Sequence, residues 1–211
     1  GSASSPSYRM RSPVDLPSAY HYAPALGDLT GDGTPDLVVG TWKGRIQVAI
    51  GQGDGTFGEL QDLVELPRGS NAVPALGDLD ADGDLDLVVG ESAGTLTFFR
   101  NEGGSTGEVP SFTLESESFA DVTVDDRSAP ALHDVDADGD LDVVVGTQTQ
   151  GLQLARNTGT PQAPTFAATD SLALDAPRLA APRFADVNGD GTAELLLGTE
   201  GGGLQLFRSG R

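Results

Sequence analysis

Four nine-residue stretches place oxygen-bearing side chains at the same intervals: DLTGDGTPD (28–36), DLDADGDLD (78–86), DVDADGDLD (134–142) and DVNGDGTAE (186–194). In every copy an oxygen-bearing side chain falls at positions 1, 3, 5 and 9, and position 6 is Gly. This is ligand spacing for a hard cation. Calcium takes roughly six to eight oxygens at about 2.3–2.6 Å, and alternate residues of a tight loop converge on one point when a glycine permits the turn. The side-chain ligands predicted are Asp28, Thr30, Asp32 and Asp36; Asp78, Asp80, Asp82 and Asp86; Asp134, Asp136, Asp138 and Asp142; and Asp186, Asn188, Asp190 and Glu194. Position 7 (Thr34, Asp84, Asp140, Thr192) supplies its backbone carbonyl, which leaves the carboxylates of Asp84 and Asp140 outside the coordination. Four calcium sites are expected. Magnesium is the alternative, disfavoured by its strict octahedron and retained waters. With Thr30 and Asn188 at position 3, the outer two loops carry less charge and are expected to bind more weakly than the central two.

The loops are not EF-hands, although their first six positions match that pattern. An EF-hand closes with a bidentate Glu at position 12, where this chain has Val39, Val89, Val145 and Leu197. Turn propensity alone is the simpler account of Asp, Asn and Gly. A turn needs only one or two such residues, however, and neighbouring carboxylates without a counter-ion repel one another.

The elements that position these loops repeat with them. ALGDL (25–29), ALGDL (75–79), ALHDV (131–135) and RFADV (183–187) lead into the loops, and DLVVG (36–40), DLVVG (86–90), DVVVG (142–146) and ELLLG (194–198) lead out. The outgoing runs are continuously apolar, as strands covered on both faces are. After a short polar turn come RIQVAI (45–50), TLTFFR (95–100), LQLAR (152–156) and LQLFR (204–208), which alternate with the period of half-buried strands. A fourth strand opened by an aromatic is predicted within 56–66, 111–119 and 165–174. Four short strands in a repeat of about 50 residues is the arithmetic of a propeller blade.

The last repeat ends without a fourth strand. VDLPSAYHYAPALGDL (14–29) aligns without a gap on VELPRGSNAVPALGDL (64–79), so residues 8–16 take the place of a fourth strand preceding the first repeat. The fold expected is an all-β propeller of four blades with four antiparallel strands each, its ring closed by residues 8–16 pairing with the last blade. The expected division is a tag or linker at 1–7, one propeller domain at 8–208 (blades near 23–66, 73–119, 129–174, and 181–208 with 8–16) and a tail at 209–211. A monomer is expected. A domain-swapped dimer of eight blades and an excerpt from a longer array are the alternatives.

The unit ALxDxDxDGxxDLVVGTxxGxLxLxxN, four times over residues 8–208, resembles the FG-GAP or VCBS repeat, the integrin-α type of propeller blade. The resemblance implies that the D-x-D-x-D-G-x-x-D loop joins the first two strands of a blade and binds calcium, at the sixteen side-chain positions named above. The chain differs from integrin propellers in carrying four repeats where those have seven blades. The literal Phe-Gly and Gly-Ala-Pro signatures survive only as fragments such as Phe57-Gly58 and Ala129-Pro130.

Composition excludes several classes. With 32 acidic against 12 basic residues and a formal charge of −20, the surface repels phosphate backbones, so nucleic acid and anionic membranes are not expected partners. No apolar run is long enough for membrane insertion. Zero cysteines exclude disulfides and thiol chemistry. GESAG (90–94) has the form of a hydrolase nucleophile motif, but it lies in a turn between two strands rather than before a helix. No acid, base and nucleophile set is visible, so no enzyme is expected. Binding fits better. On the face opposite the loops, Tyr20, His21, Tyr22, Trp42 and Lys43 converge on one corner, where exposed rings would stack on sugars or anchor a peptide, or else plug the propeller. The function expected is a non-catalytic, calcium-stabilised adhesion or recognition module, extracellular or at the cell surface, for a protein or glycan ligand. A carbohydrate-binding accessory domain of a larger secreted enzyme and a purely structural assembly unit are the alternatives.

Overall fold

The apolar run at the heart of each repeat is its most deeply buried strand. In the computed structural model, which describes residues 16, 21–172, 174 and 178–208, β2 (Asp36–Thr41), β6 (Asp86–Gly90) and β10 (Asp142–Gly146) are buried at every position. Each is flanked by an inner strand, β1 (Tyr22–Gly27), β5 (Val73–Gly77) or β9 (Ala129–His133), and by a third strand, β3 (Arg45–Ala49), β7 (Leu96–Asn101) or β11 (Leu152–Ala155). The outer strands are β4 (Gln61–Glu65), β8 (Phe112–Ser116) and the two-residue β12 (Asp170–Ser171). Blade four consists of β13 (Ala181–Ala185), β14 (Glu194–Gly198) and β15 (Leu204–Phe207). All pairings are antiparallel and follow chain order, giving an all-β propeller of four blades among the described residues. Successive inner strands pack side by side, β1 on β5, β5 on β9 and β9 on β13.

The outer strands are shorter than the sequence predicts. Phe57 and Phe166 form only single bridges, to Gly51 and Asn157, and β4 and β8 join their neighbours across a register shift. Outermost strands bury one face at most, so little holds their register. The predicted strand at 8–16, and with it ring closure, lies outside the described residues except for Leu16. Leu16 packs on Leu37, Val39 and Ala49 of blade one, as its aligned counterpart Leu66 packs between blades one and two.

The blades are joined by an alternating zipper. Val38 of blade one faces Leu87 and Val89 of blade two; Val88 faces Val143 and Val145; Val144 faces Leu195 and Leu197. Each fully buried Val or Leu contributes about 1.5–3 kcal/mol, which makes these interfaces the main source of stability. The face opposite the loops is stitched by backbone hydrogen bonds. Asn71 N donates to Trp42 O (2.9 Å) and Ser92 N to Ser70 O (2.9 Å); Arg127 N to Ser92 O (3.3 Å) and Gln148 N to Asp126 O (3.1 Å); Leu179 N to Gln148 O (3.1 Å) and Glu200 N to Arg178 O (3.4 Å). Each connecting segment therefore hooks the turns of two successive blades. The glycine ending the second strand admits that segment: a Cβ on Gly40, Gly90 or Gly146 would stand 2.2, 2.2 or 1.9 Å from the carbonyl oxygen of Ala72, Ser128 or Ala180. At Gly198 the nearest described atoms are Ala181 Cβ at 3.7 Å and Ala181 O at 3.9 Å.

One arginine lies among the inner strands. Ala25, Ala75 and Ala131 occupy the same inner-strand position, and in blade four that position is Arg183. Its guanidinium donates to the carbonyls of Pro130 and Pro182 (3.0 and 2.8 Å) and of Pro74 (3.4 Å), and burial lowers its pKa below the ordinary arginine value.

Candidate metal centres

The four loops fold alike because each spends its carboxylates on the same backbone donors. The position-1 aspartate caps the turn: Asp28 accepts from Asp32 N (3.1 Å) and Gly33 N (2.8 Å), Asp78 from Asp82 N and Gly83 N (3.2 and 3.1 Å), Asp134 from Asp138 N and Gly139 N (3.1 and 2.9 Å), and Asp186 from Asp190 N and Gly191 N (3.1 and 2.8 Å). Position 5 then accepts from the position-7 amide in each loop. The turn drives position 6 to φ of 84–99°, which glycine alone tolerates without strain.

Position 9 is buried in every loop. Asp36 accepts from Leu29 N (2.9 Å) and Gly51 N (2.9 Å), Asp86 from Leu79 N (3.0 Å) and Asn101 N (2.9 Å), and Asp142 from Val135 N (3.0 Å) and Asn157 N (2.8 Å). Glu194 accepts from Val187 N (3.0 Å) and from the Asn188 amide. In the first three loops the position-9 carboxylate thus ties the loop to the end of the third strand, whereas Glu194 bonds within its own loop. An oxygen that accepts one such bond, as those of Asp86 and Asp142 do, keeps a second lone pair and remains capable of ligation.

The electrostatics call for a cation. Burial first, then the negative charges of Asp80 and Asp82, push the Asp86 carboxyl up to about 6 against the opposing pull of its two amide bonds. Burial, then Asp82 and Asp78, raises Asp80, and burial chiefly raises Asp142. Asp186, exposed and bonded first by Gly191 N and also by Gly189 N and Asp190 N, is lowered. Carboxylate oxygens of Asp78, Asp80 and Asp86 lie within 4.8 Å of one another, as do those of Asp134, Asp136 and Asp138. Among the described residues two buried side-chain oxygens lack a hydrogen-bond partner, Thr30 Oγ1 and Asp80 Oδ1, both at position 3. Thr30 is covered by the long loop of blade two, whose Gly107 N donates to Thr30 O (2.9 Å). Orphaned buried oxygens among crowded carboxylates fit an oxygen-seeking divalent cation.

Position 7 is partly covered in the two central loops. Asp140 is 7% exposed and Asp84 is half-buried, so neither carboxylate simply points into solvent. Missed altogether were the arginines beside the loops. Arg156 Nη1 forms a short ion pair with Asp136 Oδ2, and Arg208 Nε stands 3.5 Å from Glu194 Oε1. The signal was present in the sequence, where three of the four third strands end in Arg.

On the opposite face the aromatic corner divides. Tyr20 lies outside the described residues. His21 and Tyr22 line a cavity of about 230 Å³ at the mouth of the axis, together with Asn71, Arg127, Thr147 and Leu179. His21, Asn71, Arg127 and Leu179 hold equivalent places ahead of the four inner strands, all with φ of 50–59°. Trp42 and Lys43 sit apart in the exposed turn between β2 and β3, and Trp42 is 43% exposed. Ser92 lies in the turn between β6 and β7, with its Oγ 2.8 Å from Ser70 Oγ. His133 stacks on Phe184 (4.2 Å between centroids) near the axis, and burial lowers its pKa. No helix among the described residues is long and apolar enough to cross a membrane.

Residues 28–89 and 134–197, more than half of the chain, match the family model described as an FG-GAP-like repeat. No curated protein matches significantly. Among solved structures the chain is similar to an Agrocybe aegerita lectin, described as recognising non-reducing terminal N-acetylglucosamine, at 24% identity and a TM-score of 0.49. The match covers 88% of this chain and 48% of the lectin chain, so the chain spans about half that protein's length.

Proposed function

Since the chain belongs to the FG-GAP-like repeat family, we propose that its four acidic loops bind calcium and that the calcium-braced propeller is a non-catalytic recognition module working outside the cell. The observation that carries the metal reading is the pair of orphaned, buried position-3 oxygens, Thr30 Oγ1 and Asp80 Oδ1, within loops of one repeated geometry. In each loop positions 1, 3, 5 and 9 would hold the ion through side chains and position 7 through its carbonyl. Calcium would supply positive charge to carboxylates that otherwise repel one another. Sixteen of the 32 acidic residues lie in the loops, and four divalent ions bring the formal charge from −20 to −12. The extracellular assignment follows from affinity, because extracellular calcium modules work with dissociation constants of roughly 10⁻⁴–10⁻³ M, useful only where the ion is abundant.

The propeller domain assigned to residues 8–208 would present its ligand on the face away from the loops. The exposed indole of Trp42 favours a glycan, since an aromatic face set among polar neighbours stacks on sugar rings. Melting with and without calcium tests the structural part of this reading. A site filled to about 100 times its dissociation constant adds ~2.7 kcal/mol, so a melting temperature unmoved by a chelator would end it. Glycan and extracellular-protein arrays test the recognition part.

A further inference from the structure

We propose that the arginine closing a blade's third strand is a built-in counter-ion to that blade's loop, one that calcium must displace, and that it sets which of the two central loops fills first. This rests on reading the loops as calcium sites. The third strands end, at one repeat position, in Ile50, Arg100, Arg156 and Arg208. Blade one has no charge there, and Ile50 packs into the core between blades one and two. In blade three the guanidinium of Arg156 is bonded to Asp136, one of the three carboxylates whose oxygens converge. In blade four Arg208 stands 3.5 Å from the buried Glu194.

Blade two has the arginine but withholds it. Arg100 Nη2 is 3.0 Å from Glu102 and 3.0 Å from Glu115, and Asp80 reaches it only as a more distant charge. At the place of Glu102, blade three has Thr158. Loops two and three therefore form a natural pair. They carry identical side chains at positions 1, 3, 5, 7 and 9, and they differ in whether a guanidinium rests on position 3. A monovalent cation bonded to a ligand oxygen stands within one hydrogen bond of the place a divalent cation would take, and repels it there. An exposed ion pair is a modest competitor, so the effect is a displacement cost rather than a block.

The glycine at position 6 gives each loop its own reporter: Gly33, Gly83, Gly139 and Gly191 amides, followed in a ¹H–¹⁵N correlation spectrum as calcium is added to the whole chain. The Gly83 resonance is expected to saturate at a lower calcium concentration than Gly139. Arg156→Gln is expected to tighten the Gly139 loop about two- to fivefold and leave Gly83 unmoved, while Arg156→Lys, which keeps the charge, stays near wild type. Arg156 is nearly half exposed, so neither variant threatens the fold. Equal saturation of Gly83 and Gly139 in the wild type, or an Arg156→Gln loop no tighter than wild type, would overturn the counter-ion role while leaving the calcium sites intact. Silence from all four glycines would overturn the calcium sites and the counter-ion role together.

Discussion

Adding one methyl group at equivalent places in two blades separates interfaces that are filled from one that no described residue fills. In Gly146→Ala the new Cβ would stand 1.9 Å from Ala180 O, so the segment entering blade four must retreat by roughly 1–1.5 Å to reach van der Waals contact. Overpacking of that kind costs about 1–3 kcal/mol. The same retreat loosens the adjacent Leu179 N to Gln148 O hydrogen bond, worth about 1 kcal/mol. The expected loss is about 2–4 kcal/mol, a fall in melting temperature of about 5–15 °C for a chain of this size. Gly198→Ala is the same change in blade four, and the nearest described atom to its Cβ is 3.7 Å away. There alanine restricts the unfolded chain and clashes with no described residue, so stability should hold or rise by about 0.5–1 kcal/mol. Thermal melts by circular dichroism, in excess calcium, compare the two directly. If Gly198→Ala falls as far as Gly146→Ala, blade four is covered as the other blades are, and the reasoning from an open flank is wrong.

Two further outcomes follow from the site and the opposite face. Asp86 has its folded pKa raised to about 6, above the ordinary carboxylate value, so its contribution in metal-free protein is fully present below about pH 4 and lost as pH rises through about 6. A shift of about two units corresponds to on the order of 2–3 kcal/mol, and Asp80 and Asp142, raised in the same direction, add to the trend. Melting in chelator should therefore decline from pH 4 to pH 7 and flatten or reverse when calcium is supplied; a metal-free melting temperature that climbs steadily with pH would contradict the crowding of these carboxylates. Trp42→Ala should leave the melting temperature within about 2 °C, because the indole is exposed. It should also remove at least tenfold of the affinity for any glycan found on an array, and full retention of binding would exclude the turn as the contact surface.

The repeat made the blades legible before any coordinates. DLVVG and its three relatives are apolar at every step, and burial on both faces is the condition that permits this. The loop frame was legible for the same reason, since Gly at position 6 and oxygens at odd positions have a conformational and a chemical purpose that spacing alone displays. What stayed hidden depends on neighbours in space. That Asp86 ties Leu79 to Asn101 follows from where the third strand ends. That Arg156 lies on Asp136 is a pairing 20 residues apart that periodicity cannot see. The corner of Tyr20, His21, Tyr22, Trp42 and Lys43 was read as one patch because the residues share a face. The chain turns into the left-handed region at His21 and enters the inner strand, which sends His21 and Tyr22 to the axis and leaves Trp42 on the rim.

A row of near-identical blades faces a problem of address. Each blade offers its neighbour almost the same zipper, so a blade could dock against the wrong partner, or against a sibling in another molecule, and bury nearly as much apolar surface. Arg183 breaks that equivalence. Three alanines leave room along the axis for one long side chain, and that side chain reaches the carbonyls of Pro130 and Pro74, one blade back and two blades back. Only the assembly with blade four third in line after blade one satisfies this charged, buried group at both carbonyls. The arginine acts as an index mark on an otherwise repetitive dial, setting blade four apart from the three before it.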